Sequence, residues 1–175
     1  MKRKVMDGKA LDRTLKRMAH EILERNKTTD DLVLIGIKRR GVNLSQRLVE
    51  KIEVIEGVRL PMEVLDITSY RDDLSRKDDS PHLETPVFNQ SLTHKRSIIV
   101  DDVIFTGRTV RAAMDAILEA SRPSNIQLAV LVDRGHRDLP IRPDYVGKNL
   151  PTSKQERIEV LLEEVDGSEE VLIIS

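Results

Sequence analysis

Short apolar runs that end in polar clusters, separated by stretches of helical periodicity, constrain this chain more than any other feature. Asp31-Leu-Val-Leu-Ile-Gly-Ile37 is apolar without alternation, the pattern of a strand buried on both faces of a parallel sheet. Met62–Ile67, Ser97–Val100 and Ile126–Val132 repeat the pattern, and Val171–Ile174 is a final strand. Leu11, Leu15, Met18, Ala19, Ile22 and Leu23 recur at helical spacing and predict an amphipathic helix over residues 7–26. Val42, Leu44, Leu48, Val49 and Ile52 turn a second helix towards the core. Val110, Ala113, Met114, Ile117 and Leu118 mark a third, stopped by Arg122-Pro123. Alternating strand and helix predict an α/β fold, a mostly parallel sheet flanked by helices. No repeat or linker divides residues 1–175, so one domain is expected. Its carboxyl-terminal part reads as an acidic amphipathic segment before the last strand.

Composition narrows the chemistry. Aromatics are 2% of the chain and Trp is absent, which excludes serial stacking on single strands. Without Cys there is no disulfide, thiol nucleophile or Cys-based metal site. No apolar run approaches a membrane span, and the basic start MKRKVMDGK lacks an apolar region after it, so a cytoplasmic protein without membrane contact is expected. The net charge of −1 hides an asymmetry: residues 1–50 carry 13 Lys/Arg against 7 Asp/Glu, and residues 151–175 carry 2 against 7. A basic half can meet a polyanion even in a near-neutral chain.

In open parallel sheets ligands bind beyond the carboxyl ends of the strands. Those ends carry Lys38-Arg39-Arg40-Gly41, Tyr70-Arg71-Asp72-Asp73, Asp101-Asp102 and Asp133-Arg134-Gly135-His136. The segment Ile98-Ile-Val-Asp-Asp-Val-Ile-Phe-Thr-Gly-Arg-Thr-Val110 joins an apolar strand, two carboxylates and Thr106-Gly107-Arg108-Thr109 at a helix start. Unpaired helix N–H groups suit a phosphate monoester, Gly107 allows close backbone approach, and the carboxylates can accept from sugar hydroxyls. A ribose-5-phosphate site has this order. No P-loop or dinucleotide glycine pattern is present. Residues 70–90 are polar, with Pro81 and Pro86, and predict a long mobile loop or a ribbon; His82 and His94 are isolated, and no residues have metal-ligand spacing.

The thirteen-residue segment resembles the phosphoribosyl-pyrophosphate signature of type I phosphoribosyltransferases. Val130–Asn149 is similar to one subgroup, the bacterial pyrimidine-operon attenuation regulators with uracil phosphoribosyltransferase activity, as are Arg25-Asn26, Gly36-Ile-Lys38, Asp66-Ile-Thr68 and Tyr70–Ser75. The resemblance covers nearly the whole chain and weakens at 76–96 and after Glu156; Arg39 and Lys16 stand where Thr is expected. It implies the type I fold with a small hood and conversion of uracil and phosphoribosyl pyrophosphate to UMP and pyrophosphate, with Mg²⁺ bound mainly through the substrate. It implies that Lys38, Arg39, Arg40 and Gly41 hold the pyrophosphate, that Asp101 and Asp102 hold the ribose hydroxyls, and that Val103 is among the substrate-binding residues. Thr106, Gly107, Arg108 and Thr109 then hold the 5-phosphate, and Tyr70 and Arg71 begin the mobile loop. Val132, Asp133, Arg134 and Gly135 would be the hood that recognises the base.

For the second activity, Arg13, Lys16, Arg17, His20 and Lys27 fall within about 100° of one helix face, opposite the apolar stripe. The resemblance adds Arg25, His136, Arg137, Arg142 and Lys148 as contacts to leader mRNA of pyrimidine genes, with UMP and UTP as effectors. It also implies a homodimer or larger homo-oligomer, in which the basic first helix and the acidic end could meet across subunits. The residues leave open a purine phosphoribosyltransferase without RNA binding, and a regulator with a vestigial active site.

Overall fold

The computed structural model describes residues 1–70 and 85–175. Five parallel strands form the main sheet: β2 (Leu32–Ile37), β3 (Met62–Leu65), β4 (Arg96–Ile104), β5 (Asn125–Asp133) and β6 (Tyr145–Asn149). Their order is β3-β2-β4-β5-β6. Helices α1 (Gly8–Asn26) and α2 (Arg40–Glu56) cover one face, and α3 (Arg108–Ala120) covers the other.

The expected parallel core follows from the strand sequences. Every residue of β2 is buried: Leu32 and Leu34 join Leu15, Ile22 and Leu48 on the α1/α2 side, while Val33, Ile35 and Ile37 meet Ala113 and Ile117. Each fully buried aliphatic side chain contributes about 1.5–3 kcal/mol of transfer free energy. Asp7 caps α1, its Oδ1 accepting from Ala10 N at 2.8 Å, so the first helix starts one residue later than expected. Val42 is only half-buried and Leu118 is exposed, both contrary to a simple apolar stripe.

The chain ends differ most from expectation. Residues 2–7 form a strand, β1 (Lys2–Asp7), although Lys2, Arg3 and Lys4 carry no apolar alternation. The acidic segment divides into β7 (Arg157–Leu161) and a single helical turn, α4 (Glu163–Asp166), before β8 (Glu170–Ile174). The three strands make an antiparallel sheet of order β1-β8-β7. This is the smaller layer of the molecule; of residues 132–135, expected as the hood, Val132 and Asp133 end β5 and Arg134 and Gly135 follow it.

The acidic end is also committed within its own chain. Asp166 takes two hydrogen bonds from Arg40 (2.7 and 3.2 Å), and Arg47 pairs with both Glu164 and Glu169. On the basic helix, Asp12 accepts from Lys51 of α2. Asp166, Glu164 and Glu169 therefore tie the carboxyl-terminal layer to α2, and Asp12 ties α1 to it.

Candidate active site

Two glycines bring α2 onto the sheet. A Cβ on Gly36 would lie 2.7 Å from Val42 Cα, and one on Gly41 would lie 2.4 Å from Val100 O. Neither contact is open to another residue, so the Lys38–Arg40 turn rests beside the carboxyl end of β4. Lys38 and Arg39 are exposed there, joined by a cis peptide bond. Lys38 N donates to Leu65 O at 3.0 Å. Arg40 differs: its guanidinium is spent on Asp166, which raises its pKa and holds the Asp166 carboxyl below the usual range.

Asp101 and Asp102 lie within β4 itself. β4 pairs with β5 as far as Ile104 opposite Asp133, so both carboxylates project from a strand. Asp101 is buried and Asp102 half-buried. Asp101 Oδ1 accepts from Asp102 N (2.9 Å), and Asp102 Oδ1 from Val103 N (2.8 Å). Val103 is half-buried beside them.

The Thr106–Thr109 segment stands at the start of α3, where the sequence places a helix start. Gly107 has φ +92°, a left-handed conformation that opens α3 with no side-chain cap. Thr106, Arg108 and Thr109 are half-buried around a cavity of about 400 Å³ that Phe105 and Asp138 also line. A second cavity, about 520 Å³, brings Lys38 together with Asp66 and Thr68. Hydrogen bonds from the Thr68 hydroxyl and N–H, with nearby Lys38, keep the Asp66 carboxyl below its usual range. A larger cavity of about 720 Å³ lies between α1, α2 and α4, walled by the Asp12–Lys51 and Arg47–Glu164 pairs. None of its lining residues stands at the carboxyl end of a main-sheet strand, so the strand ends remain the candidate site.

At the end of β5, Val132 is buried and Asp133 is fixed by Gly135 N (3.0 Å) and the Arg137 guanidinium (2.6 Å). Burial pushes the Asp133 carboxyl up, but these two hydrogen bonds and the Arg137 charge prevail and hold it low. Arg134 is buried with its guanidinium 3.9 Å over the Phe105 ring, donating to Thr152 Oγ1 and Ser153 O. Burial lowers its pKa. Gly135 has φ +81° and open space around it. Phe105, Asp138, Thr152 and Ser153 escaped the sequence analysis, because their partners come from other segments.

Tyr70, expected at the start of the mobile loop, stands apart from this cluster. Arg71 and most of the expected mobile loop, residues 71–84, lie outside the described residues. Tyr70 donates its hydroxyl to Glu119 at 2.9 Å, in the last turn of α3 and roughly 18 Å along that helix from Gly107. Burial, followed by the Glu119 carboxylate, pushes the phenol up to about 12.

The basic candidates gather at the β6 edge, against which α1 packs. Arg13, Lys16, Arg17, His20 and Arg25 are exposed on α1, Lys148 on β6, and Arg142 on the loop before it. A Cβ on Gly147 would meet Thr14 Cγ2 at 2.8 Å, a measure of how closely the two elements approach. Arg17 pairs with Glu21 and donates to Val146 O and Gly147 O; Arg25 pairs with Asp144 at 2.7 Å. His136 and Arg137 are half-buried: the His136 ring meets Thr152 O, and Arg137 bonds only inwards among the described partners.

The phosphoribosyl transferase domain model matches residues 4–163. The chain belongs to the phosphoribosyl transferase family. It is 56% identical to the bifunctional protein PyrR of Halalkalibacterium halodurans, over 99% of this chain and 97% of that protein. With the protein of the same name from Brevibacillus brevis it shares 58% identity, over 93% and 90%. Among solved phosphoribosyl transferases, the hypoxanthine enzyme of Trypanosoma cruzi aligns with a TM-score of 0.74 over 98% of this chain and 95% of that one, at 18% identity. That likeness shows the type I fold.

Members of the phosphoribosyl transferase family use Mg²⁺ with their phosphorylated sugar substrate. Among the described residues no group of three His, Asp or Glu side chains stands close enough to hold a metal alone. The hard oxygens of Asp101 and Asp102 on β4 fit an ion that keeps waters and takes most of its ligands from substrate. No helix among the described residues is long and apolar enough to cross a membrane.

Proposed function

We propose that residues 1–175 act as one cytoplasmic domain with two activities. It transfers the phosphoribosyl group to uracil, giving UMP and pyrophosphate. It also binds leader mRNA of pyrimidine genes and regulates their attenuation in response to UMP and UTP. The observation that carries this reading is the near-full-length identity to proteins named bifunctional PyrR, in a chain with an intact Asp pair and phosphate loop. The intact loop argues against a vestigial site. A homodimer or larger homo-oligomer belongs to the same proposal.

In the transfer, the bond from uracil nitrogen to the anomeric carbon forms as the carbon–pyrophosphate oxygen bond breaks. The uracil nitrogen gives up its proton. Positive charge develops on the sugar, so catalysis is positioning and electrostatics. Asp101 and Asp102 hold the ribose hydroxyls and lie where carboxylate charge favours a sugar cation. The Thr106–Thr109 loop binds the 5-phosphate with backbone N–H groups and hydroxyls. Lys38, Arg39 and the turn seated by Gly41 orient the leaving pyrophosphate, while Arg40 holds that turn to Asp166. Val132, Asp133, Arg134 and Gly135 form the base side. When bound, Mg²⁺ supplies charge neutralisation at the pyrophosphate.

The RNA face is the exposed basic surface of α1, extended by Arg142 and Lys148. With few aromatics, recognition rests on phosphates and loop shape, and affinity falls with salt. Nucleotide formation from uracil, hypoxanthine and guanine with phosphoribosyl pyrophosphate and Mg²⁺ tests the first activity. UMP formation with little purine nucleotide is expected; a purine preference would replace this reading with a purine enzyme. Binding of leader RNA with and without uridine nucleotides tests the second.

A further inference from the structure

The phosphate loop and the segment after β5 leave different strands, yet hydrogen bonds join them into one body. Asp138 N and Leu139 N donate to Thr106 O at 2.9 and 3.3 Å, and Arg134 N donates to Ile104 O at 3.2 Å. At the centre lies Arg137, whose side chain is 22% exposed. Its Nε donates to Ile141 O (2.9 Å), Nη1 to Phe105 O (3.0 Å) and Nη2 to Asp133 Oδ2 (2.6 Å). Phe105 immediately precedes the phosphate loop. The other Asp133 oxygen orients Gly135 on the base side. One planar guanidinium thus bridges the two ends of the site, and its rigid fork of donors serves three acceptors that a lysine ammonium on a flexible stem would not fix together.

We propose that Arg137 is a positioning residue for phosphoribosyl transfer, setting the distance between the 5-phosphate loop and the base-side segment. The inference rests on reading the strand ends as a phosphoribosyltransferase site, and it gives Arg137 a role other than RNA contact. A ligand that spans both ends depends on that distance. A ligand that occupies only the phosphate end does not. Ordinary loss of structure would weaken both kinds of ligand alike, so the contrast separates positioning from simple support.

The test compares UMP with ribose 5-phosphate by calorimetry on the full chain, wild type against Arg137→Gln, with nucleotide formation assayed in parallel. Loss of a charge-assisted bridge predicts UMP affinity lower by about tenfold or more, while ribose 5-phosphate affinity moves by less than about twofold. The KM for uracil rises accordingly. Arg137→Lys, which keeps a charge for Asp133, recovers part of the UMP affinity, and it carries the test if the Gln variant fails to fold. Equal weakening of both ligands overturns the proposal, as does unchanged UMP affinity with weakened leader-RNA binding. A wild type that forms no nucleotide from uracil overturns the underlying site reading instead, which is a separate outcome.

Discussion

Replacing Gly41 with Ala tests how the Lys38–Arg40 turn is held. The added Cβ would lie 2.4 Å from Val100 O and 3.4 Å from Asp101 Cα. Both are backbone atoms of a central strand, so neither can turn away as a side-chain tip could. To restore ordinary contact, the first turn of α2 must retreat by about 1 Å, an overpacking strain that costs about 1–3 kcal/mol. For a chain of this size that is a fall in Tm of roughly 2–12 °C. The retreat carries Lys38 and Arg39 away from Asp101 and Asp102. A displacement of this size lowers kcat/KM for phosphoribosyl pyrophosphate by about 100-fold. Gly8→Ala is the matched control, because its Cβ would meet only the flexible Glu169 side chain, at 3.4 Å. Thermal melting and steady-state kinetics on both variants check the argument. Wild-type stability and turnover in Gly41→Ala would refute it.

Asp101→Ala and Asp102→Ala should each reduce UMP formation by about 100-fold or more, the scale of losing a preorganised charged group. They should differ in stability: each loss takes a side-chain acceptor from the next backbone N–H, but only Asp101 is buried, so its loss should carry more of a cost of about 1–3 kcal/mol. Equal melting temperatures would count against the strand placement, and undiminished turnover against the ribose role. The arginine bonds that lower the pKa of Asp166 and Glu164 make stability pH-dependent. Their stabilisation is complete above the unfolded carboxylate range near about pH 4 and is lost as pH falls through the lower folded values. Melting followed from pH 7 to pH 2.5 should show this acid-side decline, reduced in Arg40→Gln; identical profiles would exclude the Arg40–Asp166 contribution. Light scattering at micromolar concentration should find dimers or larger assemblies, and monomer alone would remove that part of the proposal.

What the sequence made legible was what local pattern can encode. Leu32–Ile37 reads as a two-faced strand because every position is buried, and the order Asp101, Asp102, Thr106, Gly107 fixes a strand end, a turn and a helix start within nine residues. Long-range partners were not legible. Lys2–Asp7 becomes a strand only because Glu170–Ile174 pairs with it from the other end of the chain. Arg40 looks like a basic loop residue until Asp166, 126 positions later, takes its guanidinium. Arg137 similarly looks like one more exposed cation, yet its acceptors include the Phe105 carbonyl, 32 residues earlier. Charge type is visible in a sequence, whereas the direction of a side chain depends on packing.

The central claim is that one domain carries a nucleotide-forming site at the strand ends and a separate RNA face on α1. Arg17 is a poor probe by itself, because it also braces β6 through Val146 O and Gly147 O. Arg13, Lys16 and His20 are exposed on the same face and suit the purpose better. The decisive measurement is leader-RNA affinity and uracil phosphoribosyl transfer, taken side by side on an Arg13→Ala, Lys16→Ala, His20→Ala variant. The account predicts RNA affinity reduced by about tenfold or more and a shallower salt dependence, since up to three phosphate contacts are lost, with UMP formation within about twofold of wild type. Unmoved RNA affinity, or a matching fall in both activities, would contradict it.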